Sequence, residues 1–213
     1  MLNPHERTRD RLLQVATELF VELGFRGTTI RRVCDAANVN VSMVNYHFRS
    51  KDHLYAEVLD YAREQELKEP ERPQPQDEAE ASSQLRDFIK GFLCNLLLPG
   101  STSLLTKLLT RELYERSGAV QTFIEKDILP QHRRLKIIVL AIAGQGLSEE
   151  ELQQCMFSVI GQAVFYLHNR PIIEMMAPHI AYDEAGIDSL TEHIHRFTFP
   201  ALKHYSSALP QKA

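Results

Sequence analysis

Tryptophan is absent from the 213 residues, and cysteine occurs three times, at Cys34, Cys94 and Cys155, never in a CxxC pair. Such spacing offers no disulfide framework and fits a reducing compartment, so each thiol reads as a small apolar core residue. Glycine (nine) and proline (ten) are sparse and no long alternating β-branched run occurs, which points towards helices. No apolar run is long enough to span a bilayer and no export leader opens the chain, so the expectation is a cytoplasmic protein with no membrane partner. There is no HExxH, Walker loop, GxGxxG or GxSxG, and Gly144-Gln145-Gly146 is too short to cradle a phosphate. Among the nine histidines, His193 and His195 are two apart and face different sides of a helix. No catalytic residue, metal or cofactor is expected, and the chain does not read as an enzyme.

What is present is 44 % hydrophobic residues, ample for one large or two smaller cores. The formal net charge of −4 is unevenly spread. Residues 1–54 carry eight Lys/Arg against six Asp/Glu, whereas the remainder carries 16 against 22. A head of this kind can approach nucleic acid while the body stays off it.

The stretch TTIRRVCDAANVNVSMVNYHFRSK, Thr28 to Lys51, reads as two short helices joined by a tight turn. Thr28 and Thr29 offer capping hydroxyls to a helix with apolar Ile30, Val33 and Ala37. Asn38 suits the left-handed stop, and Asn40 caps a second helix from Val41. At about 100° per residue, Val41, Val44 and Phe48 fall on the inner face, leaving Ser42, Met43, Tyr46 and His47 outside with Asn45 at the edge. A short helix braced from behind by three apolar anchors suits insertion into a major groove. Met43, Asn45, Tyr46 and His47 would lie near base edges, while Thr28, Thr29, Arg32, Tyr46 and Lys51 would hold phosphates, with Arg49 beside them.

Around this stretch the reading is helical throughout. His5–Leu23 forms the first helix, stopped by Gly24, and Ser50 caps a fourth with Leu54, Tyr55, Val58, Leu59 and Ala62 on its apolar face. Residues 68–80, rich in proline and charge, form a linker. Ser83 opens the next helix and Thr102–Tyr114 the one after; Val120–Ala143 follows with a break expected just before Pro130. Ser148 and Glu151 make a capping box for a helix to about His168, and Asp188–Tyr205, bent by Pro200, is the last long helix. Polar or aromatic residues on these apolar helices mark a candidate ligand site: Tyr114, Gln162, Tyr166 and His168, walled by Phe92, Leu96, Met156 and Phe157.

The motifs ELFVELGFRGTTI and VNYHFRSKDHLY resemble the N-terminal DNA-binding domain of the TetR family of transcriptional regulators. Asn45 departs from that pattern, standing where the family often has an aromatic residue, so its contact cannot be carried over. Further on, RELYERSGAV, ILPQHRRL, SVIGQAVFYL and HIHRF resemble the CecR-like subgroup. The resemblance implies an all-α fold: a three-helix helix-turn-helix head, residues 1–50, and a larger helical ligand-binding and dimerisation domain, residues 51–213. It also implies a homodimer built from the helices Ser148–His168 and Asp188–Tyr205, a double-stranded DNA operator, a small-molecule effector and a repressor's role. The rival is a dimeric helical ligand- or protein-binding module that has kept the head but no longer binds DNA; a poorly basic reading face would mark it.

Overall fold

The computed structural model describes residues 4–64, 73–98, 104–115 and 120–208, and among them every regular element is helical. The chain divides into two compact units, residues 1–69 with 103–126, and residues 70–102 with 127–213.

The first unit begins with α1 (Pro4–Gly27), interrupted at Gly24, whose φ of 76° and ψ of 176° leave helical space. Leu12, Ala16 and Phe20 of α1 are buried with Val33, Cys34 and Ala37 of α2 (Ile30–Ala37) and with Val44 and Phe48 of α3 (Val41–Phe48). Leu54, Tyr55, Val58, Leu59 and Ala62 of α4 (Lys51–Glu64) complete the same cluster. Ser50 opens α4, its Oγ accepting from the His53 amide at 3.2 Å. A boundary after residue 50 would have cut this core: the apolar face of α4 is spent on the head, so α4 belongs to it. Leu105 and Leu108 of α6 (Leu104–Glu115) join the cluster, and the Arg111 guanidinium donates to the Val21 and Glu22 carbonyls at 2.7 and 2.6 Å. α7 (Val120–Phe123) then runs into a π-helical turn, Ile124–Ile128. There Lys126 reaches Asp60 at 2.9 Å. Burial pushes the Asp60 carboxyl up, but Lys126 and Arg63 outweigh it and the net shift is downward.

In the second unit α5 (Glu78–Leu97) starts five residues before the expected Ser83, because Asp77 is its cap, accepting from the Glu80 amide at 2.7 Å. Of the expected linker, residues 68–72 lie outside the described residues, as do Pro99 to Ser103 ahead of α6. α8 (Leu129–Ala143) carries Pro130 in its first turn, where the missing N–H costs nothing; the expected break is the wider π turn just upstream. The Ser148–Glu151 capping box opens α9 (Glu149–His168) as expected. The short α10 (Arg170–Met176) follows, then α11 (Glu184–Ala208), which continues past Pro200. Gly186 is required at the entrance to α11: a Cβ there would stand 2.0 Å from the Ala181 carbonyl oxygen. Leu85, Phe88, Leu93, Leu135, Ile138, Met156, Val159, Ile187 and Ile194 are core residues of this unit. Across α5 and α11, Lys90–Asp188, Lys203–Glu78 and Arg86–Glu192 are paired at the surface, where such bridges contribute little individually. None of the described helices is long and apolar enough to cross a membrane.

Candidate nucleic-acid interface

The two short helices are terminated locally. Thr29, extended at φ −110° and ψ 151°, caps α2 by accepting from the Arg32 amide at 3.2 Å. Asn38 takes the left-handed conformation at φ 51° and ψ 52° and returns its N–H to the Cys34 and Asp35 carbonyls. Two residues later the Asn40 side chain accepts from the Ser42 amide at 3.2 Å and starts α3. The Thr29 and Asn40 side chains each satisfy an amide that a short helix would otherwise leave open.

Val44 (0 % exposed) and Phe48 (2 %) brace α3 from behind. Val41 does not: it is 42 % exposed. As the first residue of the helix its side chain leans back towards the N-terminus, away from the packed turn. Met43, expected outside, is half-buried against the head's core instead. Ser42, Asn45 and Tyr46 form the exposed face, Tyr46 at 72 %. His47 is half-buried, its ring edge-on to Tyr46 at 5.0 Å.

Thr28 is withdrawn from the expected phosphate set. Its side chain is fully buried and its hydroxyl donates to the Leu19 and Gly24 carbonyls, at 3.0 and 2.8 Å, closing the break in α1. Thr28→Val is therefore expected to cost about 1–3 kcal/mol of stability while leaving the salt dependence of DNA binding unchanged, as thermal unfolding and a salt titration would show. Thr29 and Arg32 stay exposed, although Arg32 also donates to the Gly27 carbonyl at 3.3 Å. The Lys51 ammonium lies 4.2 Å from the centroid of Phe25, a ring that packs on Tyr55 at 5.0 Å, so the cation is held at the start of α4. Of the N-terminal arginines, Arg9 pairs with Glu57 and lies over the Phe48 ring, and Arg11 reaches the Asn38 carbonyl at 3.4 Å; both serve the fold. A cleft of about 460 Å³ between α1 and α4 is lined by Asp10, Glu57, Asp60 and Glu64, an acidic wall unsuited to phosphate.

The expected effector residues fall into two groups, some packed on the second unit's core and others on its surface or outside it. Met156 is fully buried in the second unit's core, with Phe92, Leu96 and Tyr166 half-buried against it. Phe157 is 62 % exposed and His168 is exposed, so neither walls a cavity in the single chain: both fall on the outer row of α9. The Gln162 amide is engaged by the Thr198 hydroxyl at 2.9 Å and the Ser158 carbonyl at 3.1 Å. Tyr114 belongs to the first unit, and its side chain lies outside the described residues. Sequence reasoning missed Tyr182, 6 % exposed, whose buried hydroxyl has no hydrogen-bond partner among the described residues. Burial raises its pKa, keeping it a neutral donor, and Arg170 covers its ring at 4.3 Å. Nothing in a turn sequence distinguishes such a tyrosine. Burial also pushes the thiols of Cys34, Cys94 and Cys155 up, away from the reactive thiolate. No group of three or more metal-ligating side chains is clustered among the described residues.

A two-helix element with a braced inner face and a polar, aromatic outer one defines a helix-turn-helix head. The family described as "Bacterial regulatory proteins, tetR family" matches residues 12–58, and "HTH-type transcriptional dual regulator CecR, C-terminal domain" matches residues 81–202. The chain belongs to the TetR family of transcriptional regulators, in the branch carrying the CecR C-terminal domain. It is 26 % identical over 203 residues to the HTH-type transcriptional dual regulator CecR of Shigella flexneri, covering 89 % of this chain and 88 % of that protein. Over 51 residues it is 39 % identical to the HTH-type transcriptional repressor KstR2 of Mycolicibacterium smegmatis, covering 24 % and 25 %. A TetR transcriptional regulator from Agrobacterium tumefaciens shares the fold, with a TM-score of 0.66 at 16 % identity, covering 92 % of this chain and 94 % of that one. The family and these relatives are regulators of transcription, not enzymes.

Proposed function

We propose that this regulator is a repressor that binds a near-palindromic operator as a homodimer and is released by a small molecule. The observation that carries the reading is α3: an eight-residue helix with Ser42, Asn45 and Tyr46 exposed on one face and Val44 and Phe48 locked behind. In this reading Asn45 pairs with a base edge, Tyr46 reaches the groove wall, and Thr29, Arg32 and Lys51 hold phosphates. Met43 and His47 contact DNA only along their outer edges.

A second copy is supported by the outer faces of α9 and α11. Phe157 and Phe165 of α9 and Phe197 of α11 are 62 %, 56 % and 70 % exposed. Gly161 lies between the two α9 phenylalanines on the same row, and a Cβ there would meet nothing within 4 Å among the described residues. A helix-interior glycine costs about 1 kcal/mol relative to alanine. Nothing among the described residues requires it, whereas a closely approaching partner helix would. Two heads related by a two-fold axis would read half-sites about 34–36 Å apart, or further if the bodies spread them. An effector acts by binding more tightly to a head spacing that misfits the operator; the buried Tyr182 hydroxyl is a candidate donor to it. The repressor KstR2, similar over the head, supports the sign of regulation.

Selection of bound genomic fragments by the purified protein, followed by salt titration on the selected site, tests the reading. Lys51→Ala is expected to weaken all sequences alike and flatten the slope of log K against log salt by about one per head. Asn45→Ala is expected to relax preference at one base pair, worth about 1–3 kcal/mol. No sequence-selective binding at any salt concentration would favour a helical module that no longer binds DNA.

A further inference from the structure

The recognition helix ends in a way its composition does not require. Arg49 closes α3, its N–H donating to the Asn45 carbonyl at 3.1 Å, but at φ 64° and ψ −44° it lies outside both helical and left-handed helical space. The following amide, Ser50 N–H, donates to the Phe48 carbonyl at 2.7 Å. A hydrogen bond spanning three residues with positive φ and negative ψ at the middle one is the rare, strained form of the γ-turn. Glycine is the residue suited to positive φ. Asn38, the other non-glycine residue with positive φ among those described, has a side chain of the kind that tolerates it; arginine has no such excuse.

Two further observations bear on why an arginine stands there. Its Cα continues the register of Ser42, Asn45 and Tyr46, three, four and seven positions along one helical row, so the turn falls at the edge of the exposed face. Arg49 is itself exposed, and no carboxylate or carbonyl among the described residues engages its guanidinium. Arg9 and Arg11, by contrast, are committed to Glu57 and to the Asn38 carbonyl. Positive φ swings the Cβ about the N–Cα bond by well over a right angle from a helical residue's direction. Arg49 thus departs from the helix on a path that no residue of the regular helix can take.

We propose that Arg49 is a DNA phosphate contact held in a strained turn, a place where the head gives up stability to aim a cation at the operator backbone beside Asn45 and Tyr46. The proposal rests on the head binding DNA. Strained residues persist where the surrounding structure over-determines them and function uses the geometry. Here the over-determination is visible: Phe48 is buried on one side, and Ser50 is committed to α4 as its cap on the other.

Arg49→Gly relieves the strain and removes the charge together, and its comparison with Arg49→Lys and Arg49→Ala separates the two halves of the idea. On the selected operator it is expected to bind about tenfold more weakly per head near 0.1 M salt, with the salt slope flattened by about one per head. The same variant, free of DNA, should melt about 2–4 °C higher, as for a gain of 1 kcal/mol in a chain of this size. Arg49→Lys keeps charge and strain and should bind and melt close to the parent; Arg49→Ala keeps the strain and should lose the affinity without the thermal gain. If the parent binds its operator and Arg49→Gly binds equally well with an unchanged slope, the contact is refuted. If Arg49→Gly melts no higher than Arg49→Ala, the strain is refuted. A parent that binds no DNA overturns the functional reading itself.

Discussion

Phe197→Glu is expected to dissociate the proposed dimer into monomers and to lower operator affinity by about 100-fold or more. Phe197 is 70 % exposed on α11, so a carboxylate there is fully hydrated in the isolated protomer and leaves its fold intact. In the proposed dimer the same carboxylate would be moved from water into a largely apolar interface, which is strongly unfavourable. Losing the dimer disconnects the two heads. Linked heads gain about 10²–10⁴ in avidity over a single one, and that gain is what disappears. Gly161→Leu is the companion variant. It replaces the least favourable ordinary helix residue with one of the best, in open space on α9, so the protomer should be at least as stable. Steric exclusion of a partner helix should nevertheless dissociate the dimer. Light scattering across a concentration series reads both outcomes, and a Gly161→Leu protein that remains a full-strength dimer would remove α9 from the interface.

Phe48→Ala is expected to destabilise the head by about 3–5 kcal/mol and to abolish operator binding at ordinary concentrations. Phe48 is 2 % exposed, anchors the last turn of α3, and carries the Arg9 guanidinium 5.6 Å from its ring centroid. Truncating it leaves a cavity behind the reading face, and a short helix has no intrinsic stability with which to compensate. A loss of this size is a large part of the 5–15 kcal/mol by which domains are typically folded. Amide exchange should show α2 and α3 losing protection, whereas Tyr46→Ala, on the exposed face, should lower affinity with protection unchanged. Equal protection in the Phe48→Ala and parent proteins would mean that α3 is braced elsewhere.

Where structure is set by neighbours in the chain, the sequence reading succeeds in detail. The left-handed Asn38, the Asn40 cap, the Ser148–Glu151 box and the stop at Gly24 are each an amide or carbonyl satisfied within a few residues. The misreadings share a different origin. Thr28 and Thr29 are equally good caps by composition, yet it is Thr29, with extended backbone, that accepts the α2 amide, while the Thr28 hydroxyl is buried and bonded back to the Gly24 carbonyl. Val41 and Met43 exchange the roles that a helical wheel assigns them, because a wheel knows angles but not where along the axis the supporting helices end. The outward Phe157 of α9 reads as a cavity wall for the same reason: apolar character does not say which apolar surface it meets.

By itself, then, the amino-acid order determined the helical class, the helix-turn-helix motif with its caps and stops, the family, and the polar character of the reading face. These follow from periodicity, from short-range hydrogen bonds and from a motif of fixed spacing. Only the tertiary structure decided that α4 and α6 complete the head, that Thr28 is buried, that Tyr182 hides an unpartnered hydroxyl and that Arg49 sits in a strained turn. Those depend on which of several equally apolar surfaces pack together, a choice made by shape and burial summed over residues far apart in the chain.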